Sequence, residues 1–419
     1  MRTVTLMKNK SYYPWIVVAL LWFVALLNYM DRQMLATMRP SMEVDIAELK
    51  LATNFGFLMG IFLWVYGIMS PVAGIVADKL DRKWIIVCSL FVWSAVTMLM
   101  GFAESFNQLY WLRAIMGISE ALYIPAALSL IADYHESRSR SLAIGIHMTG
   151  LYMGQALGGF GATISAALSW EHTFQMFGII GLLYSLILML FLHDNRKTSK
   201  GVITNLETPK KDFLRRLSSL LLNPAFWIIL LYFTIPSLPG WATKNWLPTL
   251  ASSTLKIDMS LAGPVCTITI AFSSFLGVIA GGILSDRWIE RNVKGRMYTS
   301  AIGMGLMIPS LLLLGYGNTM WHIVGAIFCF GVGFGMFDAN NMPIVCQFVS
   351  KSQRATAYGI MNMCAVFAGA FITDFLGKST DQGNLGTSFA LLSGVVFVAL
   401  MIQLFFLRPR TKEYDTQVI

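Results

Sequence analysis

Long apolar segments alternate with short polar ones along nearly the whole chain. Twelve of the apolar segments are long enough to cross the hydrocarbon core of a bilayer as helices, which takes about 20 residues. The first six cover 14–38, 54–77, 84–103, 108–132, 141–168 and 172–193, and the second six cover 223–248, 260–286, 297–316, 320–348, 355–376 and 386–407. The pattern predicts an all-α polytopic membrane protein with twelve transmembrane helices.

One long polar stretch separates the two sets of segments and predicts two bundles. The predicted domains are an N-terminal six-helix bundle over 1–193, a cytoplasmic linker over 194–222 and a C-terminal six-helix bundle with a cytoplasmic tail over 223–419. The halves resemble each other, because "GIVADKLDRK" after the second segment has a weaker copy, "GILSDRWIER", after the eighth. Such repeats predict pseudo-symmetric bundles, an architecture typical of secondary transporters.

Composition agrees with a membrane protein and argues against nucleic acid as a partner. Of the 419 residues, 56% are hydrophobic and 13% are charged, whereas about 25% are charged in soluble domains. The net charge is +9, and most Lys and Arg residues fall in the N-terminal segment, the linker, alternate loops and the C-terminus. The positive-inside rule then places both termini and the linker in the cytoplasm. Because topology accounts for the charge, nucleic acid is not an expected partner.

The motifs that are missing from the sequence limit its chemistry. The five cysteines lie in apolar segments without a CxxC pair, which favours buried thiols over a disulfide or a metal site. No GxxxxGK[ST], HExxH or GxSxG pattern occurs, so neither ATP-driven transport nor an intramembrane enzyme is expected. We expect no metal and no cofactor beyond a coupling ion.

Four charged residues lie within the apolar segments, where charge is costly and is expected to face a cavity. Asp31 and Arg32 are in the first segment, and Arg113 and Glu120 are in the fourth. The last two are seven residues apart, which places them on one face of a helix about 10 Å apart. Arginine grips carboxylates, and a desolvated acid beside arginine can exchange a proton. These residues predict an organic-anion site; a static cluster that holds the helices together is the alternative.

The stretch "GIVADKLDRK" resembles the loop motif of the major facilitator superfamily, G-x-x-x-D-[RK]-x-G-R-[RK]. The matching residues are Gly74, Asp78, Lys79, Arg82 and Lys83, whereas Asp81 replaces a glycine. "NYMDR", "LRAIMGISEA" and "NWLPTL" are similar to the anion:cation symporter branch, which includes galactonate and hexuronate carriers and sialin-like transporters. "YMDR" and the "ISEA" stretch followed by "IAD" also resemble spinster-type lipid transporters. The resemblance covers essentially the whole chain.

The resemblance implies roles for individual residues. Asp31 and Glu120 would carry protons, and Arg32 and Arg113 would bind substrate or form a gating ion pair. Further candidates for substrate contact, with interhelical bonding as the alternative, are Tyr66, Gln155, Asn362 and Tyr29. A second polar cluster is expected at Asp338, Asn340 and Asn341. The expected cytoplasmic gate consists of Gly74, Asp78, Arg82, Asp286 and Arg287. Lys244 is expected to reach the lipid headgroups.

These observations predict a proton-coupled importer of a small organic anion that works by rocker-switch alternating access. A sugar acid is the favoured substrate: a hexuronate, an aldonate or a sialic acid. Sodium remains open as the coupling ion, since carboxylates bind either cation. A spinster-like lysolipid transporter is the alternative, and a non-transporting sensor is a further one. The expected setting is a bacterial inner membrane, with the protein a monomer surrounded by lipid.

Overall fold

The computed structural model describes residues 12–194, 218, 220–350 and 353–409. Most of the predicted linker, 194–222, and the end of the predicted tail lie outside these residues. Two compact units form. The first consists of the described residues up to 194 together with Met259–Pro264, and the second consists of the other described residues.

Within the described ranges, the regular structure is helical. Eleven helical segments are long and apolar enough to span a membrane, and one of them, Phe106–Tyr134, consists of two consecutive helices. The first unit contains α1 (Tyr13–Asp45), α2 (Ala52–Lys79), α3 (Arg82–Met100), α4 (Phe106–Ala121), α5 (Tyr123–Tyr134), α6 (Ser137–Gly158), α7 (Gly161–Leu168) and α8 (Trp170–Phe191). The later helices are α9 (Pro224–Leu255), α10 (Met259–Arg291), α11 (Gly295–Tyr316), α12 (Met320–Phe348), α13 (Arg354–Asp381) and α14 (Leu385–Phe406). The predicted all-α polytopic class is confirmed.

The predicted fourth segment, 108–132, is two helices rather than one. Helix α4 ends at Ala121 and α5 begins at Tyr123. Pro125 explains the break, because proline has no N–H to donate to the carbonyl of Ala121 and its ring crowds that carbonyl. At the break, the N–H of Leu122 bonds to the carbonyl of Ser119 three residues earlier. Glu120 therefore lies in the last turn of α4, directly beside an interruption.

The predicted fifth segment, 141–168, is also interrupted, between α6 and α7. Neither piece is among the eleven candidate membrane spans; α7 has only eight residues, and the apolar part of α6 is interrupted by His147, Gln155 and several glycines. Helix α6 packs along α1 through glycines. A Cβ atom at Gly150 would lie 2.6 Å from the carbonyl oxygen of Trp22, and one at Gly154 would collide with that of Leu26. Small residues allow such close contact between membrane helices.

Candidate functional site

The four charged residues of the predicted anion site converge in the first unit. Arg32 Nε donates a hydrogen bond to Glu120 Oε2 at 2.6 Å, which joins α1 to α4. Asp31, Arg113 and Glu120 are buried, and Arg113 is only 3% exposed. We call these four residues, Asp31, Arg32, Arg113 and Glu120, the charged cluster. Their convergence agrees with the sequence; their roles stay predictions.

The adjacent residues Asp31 and Arg32 form bonds to different helices. Successive residues of a helix point about 100° apart, so the two side chains diverge. Asp31 Oδ2 accepts a hydrogen bond from Thr97 Oγ1 of α3 at 3.3 Å, whereas Arg32 pairs with Glu120 of α4. The charged cluster therefore connects α1, α3 and α4, and Thr97 is a contact that sequence reasoning missed.

Aromatic rings surround the two arginines. The Cζ atom of Arg32 lies 5.1 Å from the ring centre of Tyr29, 4.8 Å from that of Phe62 and 4.9 Å from that of Tyr66. The Cζ atom of Arg113 lies 4.6 Å from the ring centre of Phe62. Such cation–π contacts offset part of the cost of removing a guanidinium from water. Phe62 contacts both arginines, yet nothing in its apolar sequence neighbourhood distinguishes it.

A glycine on α4 lets the aromatic residues of α2 come this close. A Cβ atom at Gly117 would lie 2.7 Å from the carbonyl oxygen of Phe62 and 3.2 Å from the backbone nitrogen of Tyr66. Any larger residue at this position would push α2 away from α4. The glycine in "RAIMGISEA" thus helps to place the aromatic rings on the charged cluster.

Several buried polar atoms of the site have unused hydrogen-bonding capacity. Among the described residues, Arg113 Nη1 donates to the sulfur of Met116 at 2.9 Å, but Arg113 Nε, Arg32 Nη2 and Glu120 Oε1 have no hydrogen-bond partner. Asn28 neighbours Glu120, yet its amide nitrogen and oxygen also form no hydrogen bond of ordinary geometry there. Buried polar groups generally find partners. The site is therefore suited to holding water or a polar ligand.

Two of the four predicted substrate-contact residues reach the charged cluster. Tyr29 and Tyr66 lie against Arg32, as described above. Gln155 is buried on α6, but no hydrogen bond between described residues joins it to the cluster. Asn362 is half-buried on α13, in the second unit. The structure thus places the two tyrosines, and not Gln155, beside the arginines.

The predicted second polar cluster takes a different form in the second unit. Asn341 Nδ2 donates to Asp338 Oδ1 at 3.1 Å, whereas Asn340 Nδ2 donates to the carbonyl of Met336, one turn earlier on the same helix. Lys244 is half-buried, interacts electrostatically with Asp338 and has its Nζ atom 4.8 Å from the ring centre of Trp241. We call Lys244, Asp338 and Asn341 the second-unit cluster. Lys244 was expected to reach the lipid headgroups, so its place in this cluster was not predicted.

The predicted cytoplasmic gate is only partly formed by the expected residues. Arg82 pairs with Asp133 of α5 and donates from Nη1 to the carbonyl of Ser129 at 3.2 Å. The side chain of Asp78 lies outside the described residues. At Gly74, a Cβ atom would meet open space, so crowding does not require glycine there. Asp133 is a residue that sequence reasoning missed, although it directly follows the fourth predicted segment, on the same side as the "KLDRK" loop.

The second half of the predicted gate carries no ion pair in the described part of the chain. Asp286 and Arg287 are exposed on α10. The predicted segment ended at 286, but the helix continues to Arg291. The two residues therefore lie inside the helix, not at its end.

Comparison with known proteins places the chain among transporters. Residues 21–373 match the Major Facilitator Superfamily. The sphingosine-1-phosphate transporter SPNS2 of Mus musculus is 26% identical over 431 residues, covering 92% of this chain and 76% of that protein. The probable galactarate/D-glucarate transporter GarP of Escherichia coli strain K12 is 25% identical over 397 residues, covering 86% of this chain and 87% of that protein.

A solved structure has the same fold. The crystal structure of a bacterial homologue of the human lysosomal transporter spinster, in an inward-facing and occupied conformation, matches with a TM-score of 0.79 and 18% identity. The match covers 97% of this chain and 100% of that one. Because the family match extends over most of the sequence, the chain belongs to the Major Facilitator Superfamily and is an integral membrane transporter, not an enzyme.

Proposed function

We propose that this transporter imports a small organic anion together with protons, and that its substrates are sugar acids such as a hexuronate, an aldonate or a sialic acid. The observation that carries the proposal is the buried guanidinium of Arg113. It lies in a cluster with two acids, yet the described residues offer it no carboxylate within hydrogen-bond distance. A substrate carboxylate supplies the missing acceptor, since guanidinium binds carboxylates through two parallel hydrogen bonds.

The charge balance of the cluster supports coupling to protons. When Asp31 and Glu120 are both ionised, their charges cancel those of Arg32 and Arg113. Protonating the acids leaves two uncompensated positive charges in a poorly screened site, which attracts an anion. Protonating Glu120 also weakens its ion pair with Arg32, so a second guanidinium becomes free for substrate. Proton and anion binding therefore favour each other by the same factor.

The transport cycle follows from this linkage. Asp31 and Glu120 take up protons when the site faces outward, the arginines bind the anion, and the two halves rock to release both loads inside. We place both termini in the cytoplasm of a bacterial inner membrane, in line with the distribution of Lys and Arg. Sodium is the alternative coupling ion. Uptake that continues after choline replaces sodium in the buffer indicates proton coupling, and uptake that stops indicates sodium coupling.

A lysolipid transporter is the second candidate. The similarity to the sphingosine-1-phosphate transporter SPNS2 favours it, and a lipid phosphate would suit two arginines as well as a carboxylate does. The similarity to GarP, named as a probable galactarate/D-glucarate transporter, favours sugar acids to about the same degree. "NWLPTL" and "YGIMN" are the sequence features that tip the preference towards a small soluble substrate.

Uptake by proteoliposomes under an imposed pH gradient tests the proposal. The panel contains labelled glucuronate, galactonate, sialic acid, galactarate and lysophosphatidic acid. We expect at least one sugar acid to accumulate in a manner that depends on the pH gradient. Accumulation of lysophosphatidic acid alone would establish the second candidate instead.

Two variants test the roles within the charged cluster. Arg113→Ala should lower sugar-acid uptake about tenfold or more, because hydrogen bonds to charged groups contribute about 1.5–3 kcal/mol. Glu120→Gln should abolish accumulation against a gradient while substrate exchange continues. The matched controls are Arg291→Ala and Glu104→Gln, both at exposed positions. Normal uptake by Arg113→Ala would refute the anion site, and intact accumulation by Glu120→Gln would refute the coupling role.

A further inference from the structure

His147 is a buried histidine that the transport cycle described so far does not use. It is fully buried on α6. It precedes Gly150 by three residues and Gly154 by seven, which places it on the same helix face, the one packed against α1. On that face the ring cannot reach lipid headgroups or solvent. Among the described residues, neither ring nitrogen forms a hydrogen bond of ordinary geometry, although the backbone of Leu21 lies close to the ring.

Polar groups lie at both ends of the interval between Glu120 and His147: Asn28 beside Glu120 and Tyr123 beside His147. Leu21 and Asn28 are seven residues apart on α1, so they share a face and lie about 10 Å apart along the helix. Asn28 neighbours Glu120. At the other end, Tyr123 donates a hydrogen bond to the carbonyl of Leu21 at 2.8 Å, and its ring centre lies 6.0 Å from that of His147.

We call Asn28, the carbonyl of Leu21, Tyr123 and His147 the polar row. Its direction follows from the direction of α1. From Glu120 it runs past Asn28 to Leu21 and His147, and therefore towards the Tyr13 end of α1. That end lies on the side of the membrane assigned to the cytoplasm by the charge distribution. The row thus leads from the proposed proton site towards the compartment in which the proton must be released.

The groups that face His147 are neutral. Tyr123 of α5 and the backbone of Leu21 lie beside it. Tyr184 of α8 donates to the adjacent carbonyl of Leu20, and Trp93 of α3 packs edge-on against Tyr123. In the described ranges, no charged side chain pairs with the ring. An imidazolium in this setting has no fixed counter-charge, so only water would stabilise it.

A purely packing role does not account for this side chain. An unsatisfied imidazole in a dry pocket is destabilising, whereas phenylalanine or leucine would fill the same space without that cost. Asn28 adds two further unsatisfied atoms along the same row. Buried sites with several unsatisfied polar groups characteristically hold water molecules, each bonded to two or more of those groups. The row is therefore expected to be hydrated.

We propose that His147 is a proton-accepting residue, reached from Glu120 through water held by Asn28 and Tyr123. The neutral Glu120 carboxyl gives its proton to this water, and His147 takes up a proton to become imidazolium. The imidazolium then returns a proton to water on the Tyr13 side, and the Glu120 carboxylate restores its ion pair with Arg32. The step rests on the proposed coupling role of Glu120, whereas the hydration of His147 does not.

Hydrogen–deuterium exchange at the histidine C2 position tests the hydration without any substrate. Exchange at this carbon requires both water and protonation of the ring, and mass spectrometry of the purified full-length protein measures it for each histidine. We expect His147 to exchange within about tenfold of exposed His322. A His147 that stays unexchanged over days, while His322 exchanges fully, would overturn the proposal.

Transport by variants tests the role in coupling. His147→Phe keeps an aromatic ring but cannot carry a proton. It should lower pH-gradient-driven glucuronate accumulation at least fivefold, while glucuronate counterflow without a pH gradient stays within twofold of the parent protein. His322→Phe is the matched control. Equal accumulation by the two variants would overturn the relay.

The two experiments separate the relay from the function on which it rests. If no sugar acid is transported, the proposed function fails, and the C2 exchange of His147 still decides whether a hydrated row exists. If His147→Phe does not fold, His147→Gln replaces it, because glutamine forms hydrogen bonds but cannot become a cation. This variant should likewise show reduced accumulation with unchanged counterflow.

Discussion

Phe62 is the residue on which both arginines of the charged cluster pack. Its ring centre lies 4.8 Å from the Cζ atom of Arg32 and 4.6 Å from that of Arg113. One neutral side chain thus stabilises two like charges near each other without supplying a carboxylate that would compete with the substrate. This arrangement helps to explain how Arg113 can stay buried with no carboxylate within hydrogen-bond distance among the described residues.

We predict that Phe62→Leu weakens substrate binding. Leucine removes both cation–π contacts and holds the two guanidinium groups less firmly at the substrate site. The KM for sugar-acid uptake should therefore rise severalfold, with a smaller effect on kcat. Initial rates in proteoliposomes measure both. Phe91→Leu, on the exposed face of α3, is the control. An unchanged KM would show that the ring does not position the arginines.

The charged cluster could be predicted at the residue scale, but its contacts could not. Charge within an apolar segment is visible in the sequence, and the seven-residue spacing of Arg113 and Glu120 fixes their common face. Which side chains pair depends on the rotation of each helix about its axis, and hydropathy does not record that rotation. For this reason the bond from Thr97 to Asp31 and the stacking on Phe62 appear only in the structure.

At the scale of the element, glycine and proline decide how the helices of the first unit pack. Pro125 interrupts the fourth predicted segment beside Glu120. A hydropathy window averages over a single proline, so the two helices read as one span. The glycines of α6 had a clearer signature, because their spacing of four residues places them on one face. The spacing of the α6 glycines is therefore visible in the sequence, whereas the break between α4 and α5 is not.

We predict that Gly154→Ala destabilises the first unit, whereas Gly145→Ala does not. The new methyl group at 154 would collide with the carbonyl of Leu26, while the one at 145 would meet open space on the same helix. Overpacking of this kind costs about 1–3 kcal/mol, whereas alanine improves helix propensity by up to about 1 kcal/mol. Thermal unfolding in detergent should show a lower Tm for Gly154→Ala only. Equal Tm values would contradict the packing described for α1 and α6.

At the scale of the whole molecule, the two units carry different sets of charges inside apolar helices. The first holds two acids and two arginines, whose charges cancel when both acids are ionised. The second-unit cluster brings one lysine near one acid, Asp338, and the two interact electrostatically. The first unit joins two acids to two arginines, one of which pairs directly with Glu120, so coupling is expected to belong to the first unit.

This division of roles predicts that Lys244→Ala changes the KM for the substrate, whereas Glu120→Gln changes the dependence of uptake on the pH gradient. Lys244→Ala removes a cation that can attract an anionic substrate, so the KM should rise severalfold while uptake still depends on the pH gradient. Glu120→Gln should lose that dependence.

Lys50→Ala, at an exposed position, controls for the loss of positive charge. Uptake rates at several substrate concentrations, with and without a pH gradient, separate the outcomes. If Lys244→Ala removes the pH dependence, coupling is shared by both units; if it lowers the Tm without changing the KM, the lysine is structural.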